Sequence, residues 1–131
     1  MILLDTHVLI WLMIEPKLLS RAAASAIRRA RASGGIGIAA ISLWELAWLF
    51  SLGRVKGRGT VEAWVRTLVQ EAGAAIKPIT PEVAALATQF PADFPQDPAD
   101  RLIAATARAE GMVLVTRDER IRQSPLVRTV W

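Results

Sequence analysis

The chain has 131 residues, 53% hydrophobic and 21% charged, so it should bury a real core as one domain spanning 1–131. It has no cysteine, which excludes a disulfide framework, a thiolate metal site and a cysteine nucleophile, and fits a reducing compartment. Sixteen Lys and Arg against twelve Asp and Glu give a net charge of +4, and only three of the sixteen are Lys. Arg grips phosphate bidentately, so this balance leans toward nucleic acid, although a GC-rich coding sequence yields the same excess.

The N-terminus, MILLDTHVLIWLMIEP, is apolar but short, carries Asp5 and His7, and lacks a basic leader. It therefore reads as neither a signal peptide nor a membrane span, and a soluble cytoplasmic protein is expected. ILLD (2–5) reads as a buried strand ending in Asp5. The run 7–14 is apolar on most faces and is stopped by Pro16. Residues 20–35 form a helix capped by Ser20 and ended by Gly34-Gly35. A strand over 36–41 leads into a helix over 42–53, opened by the capping-box pattern Ser42-x-x-Glu45 and closed by Gly53. GRVKGRG (53–59) is a basic turn, 60–73 a helix and 75–79 a strand. The helices over 80–90 and 97–111 both open on a capping residue followed by proline, Thr80-Pro81 and Asp97-Pro98. Residues 91–95 are a loop between them, 112–116 is a strand, and 126–131 is a last strand at the edge.

Strands alternating with helices mean βαβ units and a mostly parallel sheet. In such a sheet the C-terminal ends of strands and the N-terminal ends of helices share one edge, where ligands bind. Asp5 ends the first strand, and Glu45 lies in the first turn after the second. Asp97 and Asp100 open the helix before the strand 112–116, and Asp118 follows that strand. All five should face the same edge.

Each acid taken alone has a structural reading. Glu45 suits the third position of a capping box, and Asp97 is a cap. Asp100 complements a helix dipole, worth roughly 0.3–1 kcal/mol, and Asp118 is a turn residue. Asp5 is harder to explain, because an acid directly after Ile2-Leu3-Leu4 borders a core and must be paired or ligating. Taken together the acids repel, and at least one pKa should rise unless a cation intervenes. Mg²⁺ or Mn²⁺ suits carboxylate and water oxygens, whereas one His and no Cys make zinc a poor choice. A carboxylate-held divalent ion beside an Arg-rich surface suggests phosphodiester hydrolysis.

The segments MILLDTHVLIW, ISLWELAWLFSLGRV, DPADRLIAATA and LVTRDERI, with the final VRTVW, resemble the PIN-domain nucleases. More narrowly they resemble the VapC-type toxins of prokaryotic toxin–antitoxin modules, over essentially the whole chain. The resemblance implies a PIN-like three-layer α/β/α fold with a mostly parallel sheet of about five short strands. It implies an Mg²⁺- or Mn²⁺-dependent endoribonuclease toxin, neutralised by a VapB-like antitoxin, with homodimers joining antitoxins into a DNA-binding complex. The family's acidic site matches Asp5, Glu45, Asp100 and Asp118 as catalytic and metal-holding residues, with Thr6, Thr116 and Asp97 in support. One departure is visible: similar toxins often carry a basic residue near the position of Trp48-Leu49-Phe50.

Arg101, Arg117 and Arg120 flank the acids and are candidates to position RNA. Arg54, Lys56 and Arg58 alternate with small residues, which suits contact with a phosphate backbone. His7 fits a structural or substrate-lining role better than a general base, because a bound ion already supplies the activated water. Trp44 and Trp48 lie four apart on one helix; with Trp11 and Trp64 they form either core or an exposed partner surface. Two other readings share these features: a PIN-type nuclease in RNA processing, and an inactive PIN-like domain that binds partner and operator. A receiver-type phosphotransfer domain would need paired acids after the first strand and a late Lys, and neither is present.

Overall fold

The computed structural model describes residues 1–131. Five strands form one sheet: β1 (Ile2–Leu4), β2 (Ile36–Ala39), β3 (Ala75–Lys77), β4 (Leu114–Val115) and β5 (Thr129–Val130). Their order is β3-β2-β1-β4-β5, and every pairing is parallel. Seven helices cover it: α1 (Thr6–Ile14), α2 (Arg21–Ala32), α3 (Ala40–Ser51), α4 (Val61–Ala72), α5 (Pro81–Ala87), α6 (Pro98–Glu110) and α7 (Glu119–Arg122). β5 lies at the sheet edge, as its late position in the chain suggests. No helix is long and apolar enough to cross a membrane.

The strands are short apolar runs because both faces of the sheet are covered. Side chains alternate across the sheet. Leu3 and Leu114 join the cluster built by Val83, Ala87, Ile103 and Ile121 from α5, α6 and α7. Leu4 and Val115 join the opposite cluster, with Val8, Ile27, Leu46, Trp64 and Leu68 from α1 to α4. This is the expected three-layer α/β/α arrangement. The register pairs Leu3 with Leu114 and Leu4 with Val115, so β1 and β4 finish level and their following residues emerge together at one edge.

Local chemistry explains most boundaries. Ser20, Thr60, Thr80 and Asp97 each accept a backbone N–H at a helix start. Gly111 closes α6 with φ of 65°, a left-handed conformation that glycine adopts without a Cβ clash.

The opening of α3 corrects the sequence reading. The helix begins at Ala40, its cap residue Ala39 offers no side-chain hydrogen bond, and Ser42 lies inside the first turn. No breaker separates β2 from the helix-forming Ala40, so the chain turns directly from strand to helix. Ser42 is therefore fully buried and does not cap. Glu45 falls in the second turn, free of any capping box.

Three smaller differences have equally local causes. α5 stops at Ala87, where the Thr88 hydroxyl donates back to the Ala85 carbonyl at 2.7 Å and Phe90 turns inward to stack on Phe94. A 3-10 turn at Pro16–Leu18 follows α1. Asp118 opens the short α7, where the sequence suggested only a turn.

Leu114 is fully buried in the sheet, whereas Trp48 is half exposed on α3. Leu114→Ala should cost about 2–5 kcal/mol, and Trp48→Ala should change stability by about 0.5 kcal/mol or less; urea unfolding midpoints measure both.

Candidate active site

Four elements deliver acids to the sheet edge. Asp5 follows β1 and caps α1, with one carboxylate oxygen accepting the Thr6 N–H at 2.8 Å. Its other oxygen accepts the Thr116 hydroxyl, just past β4, at 2.7 Å. The oxygen of that hydroxyl accepts the Asp118 N–H at 3.1 Å, which fixes the turn carrying Asp118. Asp118 accepts the Arg120 N–H at 2.9 Å and lies 3.7 Å from the Arg120 guanidinium.

A second chain of bonds holds Glu45. The Thr6 hydroxyl donates to the Glu45 carboxylate at 2.5 Å, and its oxygen stands 2.8 Å from the Ser42 hydroxyl. Thr6 has one hydroxyl proton and gives it to Glu45, so Ser42 donates to Thr6. The buried polar residues of the protein are Thr6, Ser42, Thr106 and Thr116. All but Thr106 belong to this network, so the interior tolerates hydroxyls mainly where they anchor the acids.

Asp97 accepts the Ala99 N–H at 2.7 Å as the cap of α6. Asp100 is one turn further on. Asp5, Glu45, Asp97, Asp100 and Asp118 line a single cavity of about 450 Å³, with His7, Trp11 and Arg117 on its wall. A wider groove of about 630 Å³ runs between α3 and α4; Leu43, Val61, Val65 and Val69 floor it, and its two charged residues, Glu62 and Arg66, pair with each other at 2.9 Å.

The acids perturb one another as their crowding demands. Burial pushes the Asp100 carboxyl up to about 7, and the charges of Asp97, Asp5, Asp118 and Glu45 push the same way. Burial likewise raises Asp5, against the pull of the Thr116 and Thr6 hydrogen bonds. Glu45 is raised by burial, with its Thr6 bond opposing and Asp5 and Asp97 adding to the rise. No three of these side chains stand in finished ligand geometry. Mg²⁺ does not require that: it keeps several of its waters and is held by one or two carboxylates. Five carboxylates, outnumbering the cationic groups on the wall, and room for water together fit a hard divalent cation.

The flanking residues divide. Arg117 lies on the cavity wall with its guanidinium 5.8 Å from the Trp11 ring centroid. Arg101 is turned away, donating to the carbonyls of Pro95, Phe90 and Pro91, so it clamps the loop before α6. Arg120 is paired with Asp118. The tryptophans also divide: Trp64 is buried against Phe50, while Trp44 and Trp48 are exposed and stack on each other. Sequence reasoning missed the anchoring role of Ser42, taken for a cap, and the place of Trp11 beside the acids. The signal for Trp11 was its i, i+4 spacing from His7 on α1.

The site is thus an acid-lined cavity at the strand ends of a parallel three-layer sheet. A family model for the PIN domain matches residues 2–125, and the chain belongs to that family. It is 45% identical to Ribonuclease VapC22 of Mycobacterium tuberculosis over 132 residues, covering 99% of this chain and 98% of that one. Its fold is similar to that of VapBC2 from Rickettsia felis bound to a promoter DNA fragment, with a TM-score of 0.72, 17% identity, and coverage of 98% and 97%. It is also similar to DNA-bound VapBC from Salmonella typhimurium, with a TM-score of 0.70, 20% identity, and coverage of 98% and 97%.

The raised Asp100 pKa makes stability fall with pH. Between the ordinary value of 3.8 and about 7, the folded state holds a proton that the unfolded state has released. Unfolding then becomes easier as pH rises through that window. In EDTA, Tm should drop by several degrees between pH 5 and pH 8, and Asp100→Asn should remove the largest share of that drop in calorimetric scans.

Proposed function

We propose that this chain is a metal-dependent endoribonuclease toxin, neutralised by a cognate VapB-like antitoxin. The observation that carries this reading is the meeting of Asp5, Glu45, Asp100 and Asp118 in one cavity. Asp5, Asp100 and Asp118 hold Mg²⁺ or Mn²⁺ directly or through water, with Thr6, Thr116 and Asp97 fixing their surroundings. When bound, the ion lowers the pKa of a water and offsets charge on the leaving oxygen. Glu45, held by Thr6 and with its pKa raised by burial, ligates the ion or orients the attacking water. Water attacks phosphorus in line with the bond to the ribose 3′ oxygen. That bond breaks, leaving a 5′-phosphate and a 3′-hydroxyl. Arg117, exposed on the wall, is the flanking Arg free to meet the substrate.

The name of the Mycobacterium tuberculosis relative, a ribonuclease, supports RNA as substrate. The solved VapBC complexes, both bound to DNA, support an antitoxin as partner. Such a protein acts in the cytoplasm, where its RNA and its antitoxin are made.

Purified protein incubated with total cellular RNA and Mn²⁺ should produce discrete fragments. EDTA or Asp5→Asn should abolish them, and end-mapping should find 5′-phosphates. If well-folded, antitoxin-free protein cleaves nothing, the enzyme reading gives way to a binding-only domain. Divalent ion at about a hundred times its Kd should also stabilise the fold by about 2.7 kcal/mol. Asp100→Asn should abolish that gain; a full metal response in the variant would mean that Asp100 is not a ligand.

A further inference from the structure

The wall of the acid cavity continues into a second concavity. Trp11 lines both: the acid-lined space on one side, and on the other a cleft of about 280 Å³ floored by Ile10, Ile14, Leu18 and Val55. Arg54 and Lys56, from the basic turn after α3, stand at that cleft, together with Glu15. The indole of Trp11 thus forms a ridge between reactive carboxylates and a basic, apolar-floored groove.

The ridge is built like a stacking platform. Trp11 is held by Trp131 at 5.6 Å between ring centroids, and His7 lies 6.0 Å away on the same helix. The Arg117 guanidinium lies against the indole, is exposed, and forms no ion pair. Flat aromatic and guanidinium surfaces hold unstacked bases, and alternating cations follow the sugar-phosphate chain. Duplex RNA keeps its bases stacked and cannot present one here, so the occupant is single-stranded. Arg54 and Lys56 complement phosphate, and Glu15 adds a hydrogen-bond acceptor at the same cleft.

We infer that Trp11 and Arg117 receive the nucleobase beside the scissile phosphate of a single-stranded RNA, and that the adjoining cleft takes the next nucleotide, its phosphate on Arg54 and Lys56. This rests on the ribonuclease reading above. It adds a residue that selects and positions substrate, and it gives the GRVKGRG turn a function.

The test uses a labelled single-stranded oligoribonucleotide carrying the mapped cut site. Binding is measured in the Asp100→Asn background, and steady-state cleavage in the otherwise native chain. Trp11→Leu should weaken binding about tenfold, the order of one lost base stack, and Trp11→Phe should retain most of the affinity. An abasic nucleotide at that position should weaken the parent equally and add nothing to Trp11→Leu. The double variant Arg54→Ala/Lys56→Ala should lower the slope of log affinity against log salt by about 0.7, the value for one phosphate contact on a single strand. In cleavage, each variant should raise KM and leave kcat nearly unchanged. Should Trp11→Leu fail to fold, Trp11→Phe and the exposed basic pair still probe the same subsite. If the parent cleaves RNA while the Trp11 and Arg54/Lys56 variants bind and cleave as it does, the inference is overturned and the ribonuclease reading stands. Loss of antitoxin binding with RNA affinity intact would overturn it in favour of a peptide occupant. A parent that neither binds nor cleaves RNA would overturn both.

Discussion

Thr116 lies 111 residues from Asp5 along the chain, and its hydroxyl is 2.7 Å from that carboxylate in the fold. This contact ties the turn after β4 to the turn after β1, and the Thr116 oxygen also holds the backbone of Asp118. A hydrogen bond to a charged group contributes about 1.5–3 kcal/mol, but its larger effect here is on charge. Asp5 borders a core in which Leu3 and Leu4 are fully buried, and without Thr116 and Thr6 the ionised form would be poorly supported. The anchored carboxylate sets the geometry that the remaining acids share.

From that anchor the site is a consequence of parallel strands. β1 and β4 end level, and α3 leaves β2 at the same edge. The first turns of α1, α3 and α6 therefore face one another across a narrow space. Thr6 stands at the centre, because its backbone binds Asp5 while its hydroxyl binds Glu45. The network has no orphaned atom: no buried side-chain nitrogen or oxygen in the protein lacks a partner. What stays unbalanced is charge alone: burial and the charges of Asp97, Asp5, Asp118 and Glu45 lift the Asp100 carboxyl to about 7. A polar network that is geometrically complete yet electrostatically unrelieved is poised for a cation rather than for further hydrogen bonds.

Much of this was legible along the chain. Asp97-Pro98 announces a capped helix, and its carboxylate accepts the Ala99 N–H as such a cap does. The apolar runs mark five strands, and alternation with helices makes them parallel. Once parallel, the acids after β1 and β4 must share an edge. The same local rules failed at Ser42-x-x-Glu45. A capping box and a buried hydroxyl beside a carboxylate have identical spacing in sequence, and only the direction in which the helix packs separates them. Arg101 illustrates the same limit, since its spacing beside Asp100 suggests substrate contact but its guanidinium binds three carbonyls of the preceding loop.

The amino-acid sequence by itself determined the element order, the caps and which acids lie at strand ends, because these depend on neighbours a few residues apart. Tertiary structure decided which hydroxyl anchors which acid, which arginine is free, and that Trp11 stands between the acid cavity and a basic cleft. Those are contacts across long stretches of chain, such as Thr6 to Glu45 and Thr116 to Asp5. They depend on sheet register and helix rotation, which arise from packing the two apolar clusters rather than from any local pattern.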